Sequence, residues 1–273
     1  MKKSRTSKAP GVAPLSSEEK RDLTGLGILA GAWTLVPAGV GFLLLAYLGD
    51  ASEFYTGMIE SRGLWIAVGL YALLFGITAG SGLLPTYAQA ILGGWAFGAV
   101  AGTIGAMVGI LVGTTLGHLV SGLISGPRVE AIIERRPRVV AIRDALVDAG
   151  LFKSAGIVAL LRLSPNSPFA LTNLVLGGSR TSLASTLIGT AAGMLPRTAL
   201  AVGMASAAAA DGSRDLVEVV QERGLPVTVI GLLVLVISIA VIAAIGKAAL
   251  RKAVPGAVEA QSSEPESTDS RES

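Results

Sequence analysis

The feature that most limits how this chain can fold is a stretch of 65 consecutive residues, Gly63–Pro127, that contains no Asp, Glu, Lys or Arg. Two shorter stretches also lack these residues: Leu23–Gly49, with 27 residues, and Gly224–Gly246, with 23. A helix needs roughly 20 apolar residues to cross the hydrocarbon core of a bilayer. Each shorter stretch is therefore long enough for one membrane-spanning helix, and Gly63–Pro127 holds more than one.

The composition agrees with helices in lipid rather than with a soluble domain. Only 15% of the 273 residues are charged, against roughly 25% in a typical soluble domain. Glycine supplies 35 residues, and small residues let membrane helices approach closely. The chain has no Cys and one His, His118, which excludes thiolate metal sites and most His-based ones. No metal or cofactor is expected, and without a catalytic triad or phosphate-binding loop in the sequence we do not expect an enzyme.

An internal repeat becomes visible when the sequence is compared with itself at an offset of 84 residues. Over residues 89–117 this offset gives nine identities in 29 positions, including Leu92–Gly94 on Leu176–Gly178. It also places Gln89 on Asn173, one amide side chain on another. A glycine-rich membrane composition alone produces some such matches. The shared order of proline, amide, Leu-Gly-Gly and a long apolar segment favours a true repeat.

Each repeat begins with an apolar segment that is broken by proline. Pro85 breaks the first, and Pro165 and Pro168 break the second, because proline cannot continue a helical hydrogen-bond ladder. The arms Thr86–Trp95 and Phe152–Leu163 have 10 and 12 residues and reach roughly 15–18 Å as helices, about half of the bilayer core. We therefore predict two re-entrant hairpins, each followed by a full span. One span separates them, so they enter the membrane from opposite faces.

The predicted fold class is an all-α polytopic membrane protein, an inverted repeat of re-entrant helical hairpin plus transmembrane helix, with flanking transmembrane helices. Cation-rich and acidic connecting segments alternate, which places both termini in the cytoplasm. The expected segments are a disordered basic tail (1–22), a transmembrane helix (23–49), a core (63–210), a transmembrane helix (225–246) and a disordered tail (253–273). The core divides into a hairpin (63–95), a span (96–124), an interfacial linker (125–151), a hairpin (152–178) and a span (181–208).

Two strings of residues carry a resemblance to a known family. The first runs from Leu84-Pro85 through Gly93-Gly94 into the glycine series Gly98–Gly117. The second is Leu161–Phe169, LRLSPNSPF, followed by Asn173, Gly177 and Gly193-Met194-Leu195-Pro196. Over about Gly63–Ala210 the chain thus resembles the VTT domain of the SNARE-associated Golgi protein family, which includes the bacterial DedA proteins.

The resemblance implies opposed re-entrant hairpins and a role in lipid handling: phospholipid scrambling in eukaryotic members, and recycling of undecaprenyl phosphate with membrane homeostasis in bacterial ones. DedA proteins carry membrane-embedded acidic residues in and near the first hairpin that are tied to proton coupling. Gly63–Pro127 has no carboxylate, which points to the non-DedA branch of Tvp- and Tmem-like proteins. Arg197 is a second departure, since the family usually has a small residue after the proline that matches Pro196.

Arg162 and Arg197 are the candidate substrate-binding cations. A charged side chain at membrane depth is costly unless it is paired or hydrated, and no Asp or Glu lies in either hairpin or in the span that follows it. A phosphate is the simplest anionic partner for a guanidinium. A structural role stays open for both, because Pro165, Pro168 and Pro196 free backbone carbonyls that an arginine could bind.

Gln89 and Asn173 are the other two candidate substrate-binding residues. Paired amides could hydrogen-bond a head group, or they could clamp a hairpin to a helix, which is the favoured interpretation. Structural roles in the hairpins are expected for Pro85, Pro165, Pro168, Gly93, Gly94, Gly177, Gly178 and Pro196. Helix packing is expected for the glycines at 105, 109, 113 and 117.

Together these features predict an integral plasma-membrane protein that translocates or scrambles phosphate-bearing lipid, either phospholipid or polyprenyl phosphate, and so serves membrane homeostasis. The alternative is a non-transporting scaffold for membrane-protein or envelope biogenesis. The expected partners are membrane lipids with phosphate head groups, and a homo-oligomer stays open. Nucleic acid is not expected, because the basic tails fit membrane topology and anionic lipid.

Overall fold

The structure, a computed structural model, describes residues 36–124, 150–163, 169–179, 181–210 and 216–253. Within these ranges every regular element is an α-helix and none is a strand, which confirms the expected all-α class. The predicted N-terminal tail and residues 23–35 of the first predicted transmembrane helix lie outside the described residues. So do nearly all of the predicted interfacial linker and C-terminal tail, as well as Pro165 and Pro168.

The described ranges contain eight helices. They are α1 (Val36–Ala46), α2 (Leu48–Arg62), α3 (Leu64–Gly80), α4 (Thr86–Ile124), α5 (Leu151–Leu163), α6 (Phe169–Gly178), α7 (Leu183–Ala209) and α8 (Leu216–Ala253). By length and composition, two segments of the described chain could cross a membrane, Thr86–Ser121 and Leu183–Ala209.

The acidic segment before the first hairpin forms helix α2, which was not predicted from the sequence. Asp50 lies in the first turn of α2 and Arg62 in its last turn, so both charges complement the helix dipole. Leu48 and Tyr55 form its buried face. The helix ends at Gly63, which has a φ of +90° and donates its N–H to the carbonyl of Ile59.

The first hairpin consists of α3, a short turn and the beginning of α4. In the turn, the N–H of Leu83 donates to the carbonyl of Thr78 at 2.8 Å. Gly98 interrupts α4 with a φ of +75° and a ψ of 179°, a conformation that glycine alone adopts without strain. It divides α4 into a short arm (86–97) and a long helix (99–124). The arm therefore extends two residues beyond Trp95, its predicted end.

The helix boundaries of the two repeats coincide at the 84-residue offset. Gly98 corresponds to Ser182, the N-cap of α7, whose hydroxyl accepts the N–H of Ser185 at 3.1 Å. The long helix of α4 and helix α7 both begin at the next residue. They end at Ile124 and Ala209, which is within one residue of the same offset.

Glycines allow the first arm of each repeat to pack directly on the long helix that follows it. A Cβ added at Gly109 would lie 2.7 Å from the Cβ of Phe75 on α3. A Cβ added at Gly193, the equivalent glycine of α7, would lie 2.7 Å from the Cβ of Arg162 on α5. Such distances leave no room for a side chain, so the expectation that the glycine series packs helices is confirmed.

The second arm of each repeat packs on the long helix of the other repeat. A Cβ added at Gly94 would collide with the backbone carbonyl of Val202 on α7. A Cβ added at Gly177 on α6 would lie 2.7 Å from the carbonyl oxygen of His118 on α4. Each long helix therefore contacts one arm of each hairpin, and the two repeats interlock.

An aromatic cluster joins α2 to the first hairpin. The ring of Tyr55 lies 5.1 Å from that of Phe97 and 5.9 Å from that of Tyr71, measured between centroids. Edge-on contacts of this kind add to the free energy of apolar burial. The hydroxyl of Tyr71 also donates to the carbonyl of Gln89 at 2.7 Å, which fixes α3 against the short arm of α4.

The outward surface of the helices is strongly apolar. Large exposed apolar side chains lie along α3, α4, α7 and α8, among them Trp65, Ile66, Leu73, Val100, Ile104, Val108, Ile188, Leu195, Ile237 and Ile245. Exposed apolar surface on this scale is typical of proteins that contact a membrane or a large partner.

Candidate functional site

Arg162 lies in the last turn of α5 and is only 3% exposed. Its Nε donates to the hydroxyl of Thr190 at 3.2 Å, and one of its terminal nitrogens, Nη2, donates to the side-chain oxygen of Asn173. The ring of Phe169 lies under the guanidinium, with its centroid 4.9 Å from Cζ. Three side chains from α6 and α7 thus hold the plane of the guanidinium in one orientation.

The local sequence of α7 explains how a buried arginine can be accommodated. Thr190, Gly193 and Arg197 are spaced so that they lie on one face of the helix. Gly193 provides the space in which the stem of Arg162 lies, and Thr190 provides an acceptor for its Nε. Arg197, one turn after Gly193, therefore lies on the face of α7 that packs against α5.

Arg197 is 8% exposed and follows Pro196 inside α7. Its Cζ lies 5.2 Å from the ring centroid of Tyr87, on the short arm of α4, and its Nη2 contacts the sulfur of Met194 at 2.6 Å. A cation over an aromatic face is an attractive contact that needs no counter-charge. Arg197 is therefore held by the first hairpin, whereas Arg162 is held by α6 of the second hairpin and by α7.

Both arginines lie along the same face of α7, Arg162 against Gly193 and Arg197 one turn further along the helix. The carboxylates whose side chains the structure describes, Asp50, Glu53 and Glu60, are all on exposed positions of α2. Neither arginine forms an ion pair with any side chain in the described part of the chain. Two neighbouring buried cations without a carboxylate are an arrangement that favours an anion between them.

Asn173 and Gln89 occupy equivalent places, but only Asn173 contacts an arginine. The side-chain NH₂ of fully buried Asn173 donates to the carbonyl of Gly113 at 3.4 Å, while its oxygen accepts from Arg162. The side-chain oxygen of Gln89 accepts from the hydroxyl of Thr78 at 2.8 Å. Asn173 therefore connects α6 to the long helix of α4, whereas Gln89 connects the two arms of the first hairpin.

The 84-residue offset relates the two amide contacts to each other. It places Thr78 on Arg162 and Gly113 on Arg197, in addition to Gln89 on Asn173. A neutral hydroxyl–amide pair in the first repeat is thus replaced by a guanidinium–amide pair in the second. The positive charge of the site comes entirely from the second repeat.

Four residues that contact the candidate site residues were not predicted from the sequence: Thr78, Tyr87, Phe169 and Thr190. Extending the 84-residue comparison back to Arg162 would have found Thr78. No pattern in the sequence could have found Tyr87, because its contact with Arg197 depends on how the repeats interlock.

The residues with predicted structural roles in the hairpins lie at turns, at close contacts or, for Pro196, inside a helix, wherever the structure describes them. A Cβ added at Gly41 would lie 2.7 Å from the ring of Pro85, so α1 packs on the first turn. A Cβ added at Gly93 would collide with the hydroxyl of Tyr71. Gly178 ends α6, and Pro196 lies inside α7. Within the described residues, no group of His, Asp and Glu could hold a metal ion.

Comparison with protein families identifies the domain that contains this site. Residues 84–207 match the family model of the VTT domain. This segment of the chain is a VTT domain. VTT proteins are membrane proteins and are generally not enzymes. The matched segment includes Tyr87, Gln89, Arg162, Asn173 and Arg197. Comparisons with curated proteins and with solved structures find no significant match.

Proposed function

We propose that this VTT protein lets phosphate-bearing lipid, either phospholipid or polyprenyl phosphate, cross between the two leaflets of the plasma membrane. The observation that carries the proposal is the buried pair Arg162 and Arg197, which has no carboxylate partner among the described side chains. Guanidinium groups bind phosphate through two parallel hydrogen bonds. A buried pair of cations is too costly to persist in lipid without a ligand, water or a functional reason.

The lengths of the helices support the proposed re-entrant topology. The long helix of α4 (99–124) and α7, with 27 residues, are each about 40 Å long and can cross a bilayer core of about 30 Å. Helices α5 and α6 have 13 and 10 residues, or roughly 20 and 15 Å, and cannot. We propose a multi-pass protein with cytoplasmic termini whose two hairpins dip into the membrane from opposite faces.

The role of the protein in this proposal is to bind and orient the phosphate, and no covalent step is needed. Thr190, Asn173 and Phe169 hold Arg162 in place before the ligand arrives, so little conformational entropy is lost on binding. The acyl or prenyl chains would remain in the bilayer along the apolar outer surface. Short helices from both hairpins shorten the distance that the polar head group travels through hydrocarbon.

The absence of carboxylates from Gly63–Pro127 favours movement down a lipid gradient without proton coupling. An uncoupled path would place this chain with the non-DedA branch of the family. We therefore expect lipid to move at the same rate whether or not a pH gradient is imposed across the vesicle.

The proposal is tested by reconstituting the full chain in liposomes that contain a fluorescent phospholipid or a fluorescent polyprenyl phosphate. We expect the wild type to move at least one of them, and Arg162→Ala to slow movement at least tenfold, because one charge-assisted phosphate contact contributes about 1.5–3 kcal/mol. Arg62→Ala, which removes an exposed arginine of α2, is the matched control. Arg162→Lys keeps the charge but loses the planar fork, so it should be intermediate.

Wild-type rates from the Arg162→Ala variant, once circular dichroism shows that it is folded, would remove the arginine from the mechanism. If the wild type moves neither lipid, the protein is not a lipid translocator. The scaffold alternative would then predict a stable protein partner that co-purifies with the chain.

A further inference from the structure

The hydroxyl of Tyr87 is buried beside the guanidinium of Arg197, and no described residue accepts its proton. Buried hydroxyl groups in folded proteins nearly always have an acceptor for their proton, and one without an acceptor calls for an explanation. Tyr71, on α3, follows the usual pattern, since its hydroxyl donates to the carbonyl of Gln89 at 2.7 Å. Tyr87 differs because it lies at the site, with its ring under Arg197.

The chemistry of the neighbouring group explains why this hydroxyl lacks an acceptor. A guanidinium has five N–H donors and no acceptor, so Arg197 cannot receive the phenolic proton. Arg162, which packs against Gly193 on the same helix, likewise has only donors. The proton of Tyr87 therefore needs an oxygen that the described side chains do not supply. The same oxygen would be attracted by both arginines.

We propose that the Tyr87 hydroxyl donates a hydrogen bond to the phosphate that Arg162 and Arg197 bind, which makes Tyr87 a specificity-determining residue of the site. This inference rests on the proposed function and deepens it. Tyr87 would be the contribution of the first hairpin to a ligand whose charge is matched by the second repeat. The anion would then contact α4, α5 and α7 at the same time.

The added donor bears on which anions the site selects. A carboxylate offers about four lone-pair positions on its two oxygens, and two guanidinium groups that each bind it through two hydrogen bonds use all of them. A phosphate group has additional oxygen atoms, so a third donor finds an acceptor only when phosphate is bound. Tyr87 would thus favour phosphate head groups over the carboxylates of free fatty acids. The same chemistry applies to inorganic phosphate.

The first test measures ligand binding to the purified full-length protein in detergent by calorimetry. The ligands are sodium phosphate, a short-chain phosphatidic acid, and decanoate as the carboxylate. We expect Tyr87→Phe, which keeps the ring under Arg197, to bind phosphatidic acid roughly tenfold more weakly and decanoate almost as well as the wild type does. Tyr71→Phe, the matched loss of a phenolic hydroxyl outside the site, should leave all three affinities unchanged.

The ligands also separate the two sources of phosphate. Binding of phosphatidic acid much tighter than that of sodium phosphate identifies a lipid head group as the ligand, whereas equal affinities identify free phosphate. In either case, weaker binding of the phosphate ligands by Tyr87→Phe supports the proposal. If Tyr87→Phe binds the phosphate ligands as tightly as the wild type does, the proposal is wrong.

A second measurement does not depend on ligand. Removing a buried hydroxyl whose proton has no acceptor should change the melting temperature of the ligand-free protein little, whereas Tyr71→Phe should lower it by breaking the bond to Gln89. If Tyr87→Phe lowers the melting temperature as much as Tyr71→Phe does, the proton of the Tyr87 hydroxyl has an acceptor in the free protein and the proposal fails.

Phosphate binding by Arg162→Ala and Tyr87→Phe distinguishes an error in the role of Tyr87 from an error in the proposed function. If the wild type binds no phosphate ligand and Arg162→Ala changes nothing, the proposed function itself is wrong. If Arg162→Ala abolishes phosphate binding while Tyr87→Phe does not weaken it, only the role of Tyr87 is wrong.

Discussion

At the scale of single residues, the site is defined by two arginines that are fixed by neutral groups. Thr190 and Asn173 accept hydrogen bonds from Arg162, and the rings of Phe169 and Tyr87 lie under the two cations. Neutral acceptors hold a guanidinium in place without cancelling its charge. The positive charge therefore remains for a ligand.

Replacing the neutral acceptor by a charged one should close the site. Asn173→Asp keeps the size of the side chain but places a carboxylate against Arg162, where it would form a buried ion pair. We expect the variant to fold and to move lipid at least tenfold more slowly in the liposome assay, because the guanidinium is already neutralised. Gln89→Glu introduces the same change at the equivalent position, next to Thr78, and should slow transport far less.

Equal inhibition by Asn173→Asp and Gln89→Glu would show that any added carboxylate in this part of the chain is harmful. The specific role of the Arg162 environment would then lose its support.

At the scale of helices, close approach of backbones determines where the arms can lie. Gly193 allows α5 to approach α7 until the stem of Arg162 occupies the space of the missing side chain. Gly203, two to three turns further along α7, has nothing within 4 Å of its Cβ position. Two glycines of one helix thus have different roles.

These two glycines give a matched pair of substitutions. Gly193→Ala should destabilise the protein by about 1–3 kcal/mol, because the added methyl group meets the backbone of Ala159 and the stem of Arg162. Gly203→Ala should be neutral or stabilise by up to about 1 kcal/mol, since alanine is the better helix former. Thermal unfolding in detergent measures both changes. Similar melting temperatures for the two variants would contradict the packing of α5 on α7 described above.

At the scale of the whole molecule, the two repeats are interlocked rather than adjacent. The short arm of α4 packs on α7, and α6 packs on α4. Arg197 of the second repeat is thereby brought against the first hairpin. In the proposed topology this arrangement places the site between hairpins that enter from opposite faces of the membrane.

Topology can be tested directly because the natural chain has no cysteine. Single cysteines at Ser81, in the turn of the first hairpin, and at Ser167, in the predicted turn of the second, should react slowly with a membrane-impermeant maleimide, since both turns would lie within the bilayer. Ser61→Cys, at an exposed position of α2, should react rapidly from outside the cell. Ser263→Cys in the C-terminal tail should react only after the membrane is permeabilised. Rapid labelling of Ser81→Cys and Ser167→Cys from one side would exclude opposed re-entrant hairpins.

Four properties were predictable from the residues alone: the all-α class, the positions of the long apolar helices, the glycines that pack them and the lack of acidic residues in the repeats that carry Arg162 and Arg197. These properties depend on composition and on short-range spacing, which the chain carries regardless of how it folds. The contacts of Arg162 with Thr190 and of Arg197 with Tyr87 were not predictable in this way, because they depend on how the helices pack. Those partners are far apart along the chain, and they come together because glycine contacts bring each long helix against arms from both hairpins.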